Sequence, residues 1–145
     1  MKKQHVLLID DDEDEPEIFS EALKKLKIAV DCYSVTSAEH AIRFLGEFVP
    51  DFIFVDYNMP KMNGLTCMKE IRKIKSLDGI PMVLYSNNLD KDVVAKATLL
   101  GVVTCIQKPS KMDVLVEKLK DVFLKDGKNG QDGLEVQKAV NRRSL

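Results

Sequence analysis

The stretch Phe52-Ile53-Phe54-Val55-Asp56-Tyr57-Asn58-Met59-Pro60 sets four apolar residues directly against a carboxylate, with a proline soon after it. An unbroken apolar run of this length fits a strand covered on both faces, as in a parallel sheet. Pro60 has no N–H to donate and forbids simple continuation of the strand. Asp56 therefore falls at a strand's carboxyl end, the edge where open α/β sheets bind ligands. A carboxylate is costly to bury ionised and alone, so this one is solvent-facing, paired or bound to a cation. The plainer alternative is an Asp that only caps the next turn.

Outward from this segment, strand and helix patterns alternate. Val6-Leu7-Leu8-Ile9 reads as a short buried strand, followed by Ile18, Phe19, Ala22, Leu23 and Leu26 at helical spacing, with Pro16 in the first turn. Residues 30–35 form a weaker strand whose Asp31 and Ser34 suggest a sheet edge. Thr36-Ser37-Ala38-Glu39 resembles a capping box ahead of a second helix. Gly64 opens a third helix through Leu65, Met68 and Ile71. Residues 80–85 make a fourth strand, with Pro81 tolerated near its start. Asp90 caps a fourth helix that Gly101 stops. Residues 102–106 form the fifth strand, and Ser110 starts a fifth helix on Leu115, Val116, Leu119, Val122 and Phe123. Five βα units in sequence imply a doubly wound parallel sheet with right-handed crossovers.

The chain has 145 residues, enough for one domain with a real core and too few for two ordinary ones. The domain is expected over residues 1–125. Residues 126–133 hold three glycines and no apolar residue, so 126–145 is expected to be a flexible tail without an output domain. Lys plus Arg number 22 against 23 Asp plus Glu, which offers no general attraction to nucleic acid or an anionic membrane. The N-terminus leads into only four apolar residues before Asp10, unlike a signal peptide or a membrane span. Cys32, Cys67 and Cys105 form no Cys-x-x-Cys pair and suit a reduced cytoplasmic protein. His5 and His40 share no ligand spacing with a cysteine, which argues against zinc. His40 reads as a surface or packing residue.

The strand ends carry the chemistry. The first delivers Asp10, Asp11 and Asp12, the third Asp56, the fourth Ser86, and the fifth Lys108 before Pro109. Two like charges ~4 Å apart repel by about 4 kcal/mol at an effective dielectric near 20. Asp10, Asp11 and Asp56 together thus call for a hard cation, and few oxygen donors suit Mg²⁺ sharing its shell with a phosphoryl group. Phosphoryl transfer depends chiefly on positioning and charge neutralisation. A carboxylate can be its nucleophile. Lys108 and the Ser86 hydroxyl would each meet a phosphoryl oxygen.

Leu8-Ile9-Asp10-Asp11-Asp12, Val55-Asp56-Tyr57-Asn58-Met59-Pro60 with Gly64, Leu84-Tyr85-Ser86, and Lys108-Pro109 occur in one order. In that order the chain, over roughly residues 4–125, resembles a response-regulator receiver domain of two-component signalling. The resemblance implies a flavodoxin-like (βα)5 sheet with strand order 2-1-3-4-5. It implies that Asp56 accepts a phosphoryl group from a histidine kinase or phosphotransfer protein, and that the chain is not an enzyme. It implies Mg²⁺ held by Asp11, Asp56 and the Asn58 carbonyl, with Asp10 acting mainly through water. It implies phosphoryl and switch roles for Ser86, Asn87 and Lys108, structural roles for Pro60, Gly64 and Pro109, and a cis Lys108–Pro109 bond. Signal would pass to a downstream protein target, and a homodimer stays open.

Two positions depart from the family pattern. Cys105 stands where receivers commonly carry a strand-five aromatic, and Asn87 follows the site hydroxyl where a small residue is usual. Asp12, Glu13, Asp14 and Glu15 are expected to favour the helix N-terminus and stay solvated. Two other functions fit parts of the pattern. One is a receiver-like interaction module that works without phosphorylation. The other is a haloacid-dehalogenase-type phosphatase with Asp10 as nucleophile and Asp12 as acid/base, which Glu13 and Asp14 fit poorly.

Overall fold

Side chains alternate between two layers along every central strand, and this pattern organises the molecule. In the computed structural model, which describes residues 2–126, five strands are bridged by five helices. They are β1 (Gln4–Ile9), α1 (Glu15–Lys25), β2 (Val30–Val35), α2 (Ala38–Leu45), β3 (Phe52–Val55), α3 (Gly64–Arg72), β4 (Met82–Ser86), α4 (Lys91–Leu99), β5 (Thr104–Gln107) and α5 (Met112–Asp126). All strand pairs are parallel, in the order β2-β1-β3-β4-β5.

Leu7, Ile9, Ile53, Val55, Met82 and Leu84 point into a core shared with α2, α3 and α4. Their neighbours Val6, Leu8, Phe52, Phe54, Val83 and Tyr85 point into the opposite core, under α1 and α5. Both faces of β1, β3 and β4 are buried, which is why these strands read as continuous apolar runs. Phe19, Phe54 and Tyr85 pack edge to face in the second core, with centroids 4.9 Å (Phe19–Phe54) and 5.5 Å (Phe19–Tyr85) apart. The polar strand β2 lies at the sheet edge, as its composition suggested.

Caps fix the helix starts with small differences from the sequence expectation. Ser37, rather than Thr36, caps α2, accepting from the His40 N–H at 3.1 Å, so Glu39 does not close a capping box. Asn63 caps α3 and Asp90 caps α4. Gly101 ends the α4 segment at φ +85°, a conformation that costs glycine little. β4 starts two residues later than expected, at Met82, because Pro81 cannot donate to the ladder. β5 likewise starts at Thr104 and α5 at Met112. A 3-10 turn at Lys75–Leu77, unannounced by any apolar period, joins α3 to β4 and buries Leu77. The expected linker and tail lie outside the described residues, except that Asp126 closes α5.

Arg72, at the end of α3, ties two elements together. Its guanidinium donates to the carbonyls of Leu100 (3.0 Å), Gly101 (3.1 Å) and Ile80 (3.5 Å). It thereby satisfies carbonyls at the C-terminal end of α4 that have no partner within the helix.

Candidate functional site

Register brings the acidic residues together. Asp10 N–H donates to the Val35 carbonyl and Asp56 N–H to the Ile9 carbonyl, at 3.0 and 2.9 Å, so both carboxylates leave the sheet at adjacent strand ends. Oxygens of Asp10, Asp11 and Asp56 all lie within 4.8 Å of one another. Asp10 and Asp56 are buried while Asp11 is exposed, so the cluster opens on one side. That side is a cleft lined by Asp11, Tyr57, Asn58, Met59, Pro60 and Asn63.

The β3–α3 loop is held by main-chain geometry. Pro60 O accepts from Met62 N–H at 2.7 Å around Lys61, whose φ of +70° makes this a strained γ-turn. Gly64 N–H returns to the Tyr57 carbonyl at 2.8 Å. A Cβ on Gly64 would overlap the Asp56 carbonyl oxygen and come 2.9 Å from Tyr57 Cα. Only glycine lets α3 begin this close to the strand end, a reason for Gly64 that is steric and not a matter of φ.

Across the crevice, Lys108 N–H donates to the Ser86 carbonyl at 2.8 Å, aligning the ends of β4 and β5. The Lys108 side chain is almost fully buried, with Nζ 2.7 Å from Asp10 Oδ2, 3.7 Å from Glu15 Oε1 and 3.8 Å from Asp56 Oδ2. Three buried carboxylates thus surround one ammonium. Ser86 Oγ is fully buried and has no hydrogen-bond partner among the described residues, an uncommon state for a hydroxyl.

The electrostatics follow from this crowding. Burial pushes Asp10 up to about 6, against the lowering effect of the Lys108 hydrogen bond. Burial also raises Glu15, although the Tyr85 hydroxyl donates to it. Burial works against the charge on Lys108, but the Asp10 hydrogen bond and the carboxylates outweigh it, so its pKa is raised. Both Asp10 oxygens are already engaged, Oδ1 by the Asp12 N–H at 3.0 Å and Oδ2 by Lys108. Asp11 and Asp56 are better placed to offer oxygens directly to a cation. The donor set is made of hard carboxylate oxygens and fits Mg²⁺.

Two expectations need correction. Glu15 is buried, 5% exposed, with its Oε2 accepting from Tyr85 at 2.6 Å, while Asp12, Glu13 and Asp14 stay exposed. The first turn of α1 packs down on the sheet, and Glu15 is the residue whose direction takes it inward. No cis peptide bond occurs among the described residues, so Lys108–Pro109 is trans. Lys108 still reaches Asp10, because the β4–β5 register already aims it. Asn87 and Asn88 are exposed beyond Ser86, and Cys105 is half-buried beside the α3/α4 core. Sequence reasoning missed Glu15 and Tyr85 as partners. The available signal was a tyrosine within an otherwise apolar strand, whose buried hydroxyl needs an acceptor.

Residues 6–120 match the family model of the response regulator receiver domain. The chain is 29% identical over 119 residues to the probable C4-dicarboxylate response regulator DctR of Bacillus subtilis, covering 82% of this chain and 52% of that protein. It is 38% identical over 71 residues to a chemotaxis protein CheY homolog of Campylobacter jejuni, covering 49% of this chain and 55% of that one. The chain thus spans about half the length of these curated relatives in its matches. The fold superposes on the phosphorylated cyanobacterial phytochrome response regulator RcpA with a TM-score of 0.77 at 23% identity, over 86% of this chain and 94% of that one. No helix among the described residues is long and apolar enough to cross a membrane.

Proposed function

Since the chain belongs to the response regulator receiver family, we propose that it accepts a phosphoryl group on Asp56 from a histidine kinase or phosphotransfer protein. The observation that carries this is the joint placement of Asp56, Lys108 and the unpartnered Ser86 hydroxyl around one open acidic crevice. An Asp56 carboxylate oxygen attacks phosphorus as the phosphorus–nitrogen bond of a phosphohistidine breaks. The freed imidazole nitrogen takes a proton from solvent. No general base is needed, because an ionised carboxylate is already nucleophilic.

Asp11, Asp56 and the Asn58 carbonyl would hold Mg²⁺, with Asp10 supporting the site through water and through Lys108. The ion supplies neutralisation of the charge shared by carboxylates and phosphoryl oxygens. Lys108 pairs with one phosphoryl oxygen and Ser86 Oγ donates to another, giving that hydroxyl the partner it lacks. Asn87, Pro60, Gly64 and Pro109 shape the rim. The output is a population shift, because a phosphoryl group biases conformations only through different interactions with each. The shifted face then binds a protein partner in the cytoplasm. The domain itself signals and turns over no substrate.

Labelling with a small phosphodonor tests this. Wild type and Asp10→Asn should take up label in a Mg²⁺-dependent way, and Asp56→Asn should take up none. Label retained in Asp56→Asn would refute the assignment. No label in wild type would favour an interaction module that works without phosphorylation.

A further inference from the structure

The buried Glu15–Tyr85 pair takes no part in the chemistry described above, yet it touches the group that does. Glu15 comes from the first turn of α1 and Tyr85 from β4, 70 residues apart. The Tyr85 hydroxyl donates to Glu15 Oε2 at 2.6 Å, a short bond to an acceptor oxygen. The other oxygen of Glu15 lies 3.7 Å from Lys108 Nζ, and the same ammonium sits 5.3 Å above the centre of the Tyr85 ring. Lys108 is therefore claimed by Asp10, Glu15 and the ring face before any phosphoryl group arrives.

We infer that Glu15 and Tyr85 are positioning residues that set how freely Lys108 leaves its resting carboxylates for a phosphoryl group on Asp56. This rests on the phosphoacceptor reading of Asp56. Glu15 competes for the ammonium, and the Tyr85 hydroxyl moderates that competition by sharing the Glu15 charge through its hydrogen bond. The two side chains thus act with opposite sign. Removing the Glu15 charge releases Lys108 toward the phosphoryl group. Removing the Tyr85 hydroxyl leaves Glu15 with Lys108 as its main partner and tightens that hold. The pair lies on the α1/α5 side of the sheet, opposite the layer that contains Cys105. An aromatic therefore meets the site through β4, from the face away from the half-buried cysteine.

The test is the affinity of full-length protein for beryllofluoride at saturating Mg²⁺, read from amide shifts by NMR. Glu15→Gln should bind about fivefold more tightly than wild type, and Tyr85→Phe about threefold more weakly. In a Glu15→Gln background, Tyr85→Phe should change affinity by less than about 1.5-fold, because the charge it moderates is gone. A merely structural pair would weaken binding in both single variants, or leave it unchanged while lowering the melting temperature. Either result overturns the inference, as does persistence of the Tyr85→Phe effect in the double variant. If Glu15→Gln does not fold, Glu15→Met, which also removes the charge, should shift affinity the same way, and a shift the other way overturns the inference. Wild type that binds no beryllofluoride, or binding that survives Asp56→Asn, brings down the phosphoacceptor reading and this inference with it. Binding at Asp56 without the split in sign brings down the inference alone.

Discussion

Replacing Asp10 by Asn should stabilise the metal-free protein, and the gain should depend on pH in a defined direction. Asp10 is 1% exposed, and burial carries it from the ordinary 3.8 up to about 6. Below about pH 4 it holds its proton folded and unfolded, and burial costs nothing. Between about pH 4 and 6 the unfolded chain ionises while the folded chain keeps its proton, so stability falls as pH rises. Above about pH 6 the full penalty is present. Two pH units correspond to about 3 kcal/mol, and this remains after Lys108 has already helped the charged form. Asn cannot ionise, and Lys108 keeps Asp56 and Glu15 as counter-charges. Urea unfolding in EDTA, followed by circular dichroism, should give nearly equal stabilities at pH 4. At pH 7.5 Asp10→Asn should be ahead by about 2 to 3 kcal/mol, worth roughly 5–10 °C in melting temperature. Carboxylates remote from the crevice cancel in the difference between the two proteins, whereas Glu15, which Asp10 helps to raise, shifts with the substitution. A pH-independent difference, or a less stable Asp10→Asn at pH 7.5, would refute this account of the cluster.

Gly64→Ala should cost about 2 kcal/mol or more in urea unfolding, since its Cβ would overlap the Asp56 carbonyl oxygen and backbone cannot give way as a flexible side chain would. Arg72→Met should lower stability by about 1–3 kcal/mol, leaving carbonyls at the end of α4 without their donor; equal stability would show that water replaces the guanidinium. Asp90→Ala should cost about 1 kcal/mol and Asp90→Gly a few tenths, as expected for a side chain that caps α4. Mg²⁺ should raise the melting temperature of wild type with increasing concentration and leave Asp11→Asn unmoved, measured by scanning calorimetry.

Much of this architecture was legible because burial on both faces leaves a plain trace. Val6 to Ile9, Phe52 to Val55 and Met82 to Tyr85 are apolar without alternation, and only a doubly covered sheet accounts for them together. The polar edge strand β2 and the caps at Asp90 and Gly101 were readable for similarly local reasons. The residues of the crevice announced themselves as charges where apolar runs stop. Glu15 was legible only in part. It stands four residues before Phe19, on the face of α1 that carries Ala22 and Leu23, but a charge on that face gives no sign of the partner that lets it stay there. Its burial is decided by how α1 lies on the sheet and by Tyr85, 70 residues away. The boundaries of β4, β5 and α5 slipped by two residues because hydrogen-bond pairing, and not hydropathy, sets where they begin. The strand-order assignment came from resemblance, since periodicity alone does not say which strand lies beside which.

The contacts of Arg72 make α4 an unequal lever. Its C-terminal end is moored to α3 by a forked cation, while its other end carries its own Asp90 cap and the buried Val93 and continues into the loop from Ser86. Nine helical residues form an arm of roughly 13 Å, so a turn of about 5° at the moored end carries the far end about 1 Å. The pivot thus lies far from the crevice and the long arm beside it. A small displacement of the Ser86 hydroxyl would be felt first at the end of the helix away from the forked cation, and the surface that would travel most is the one joined directly to the site.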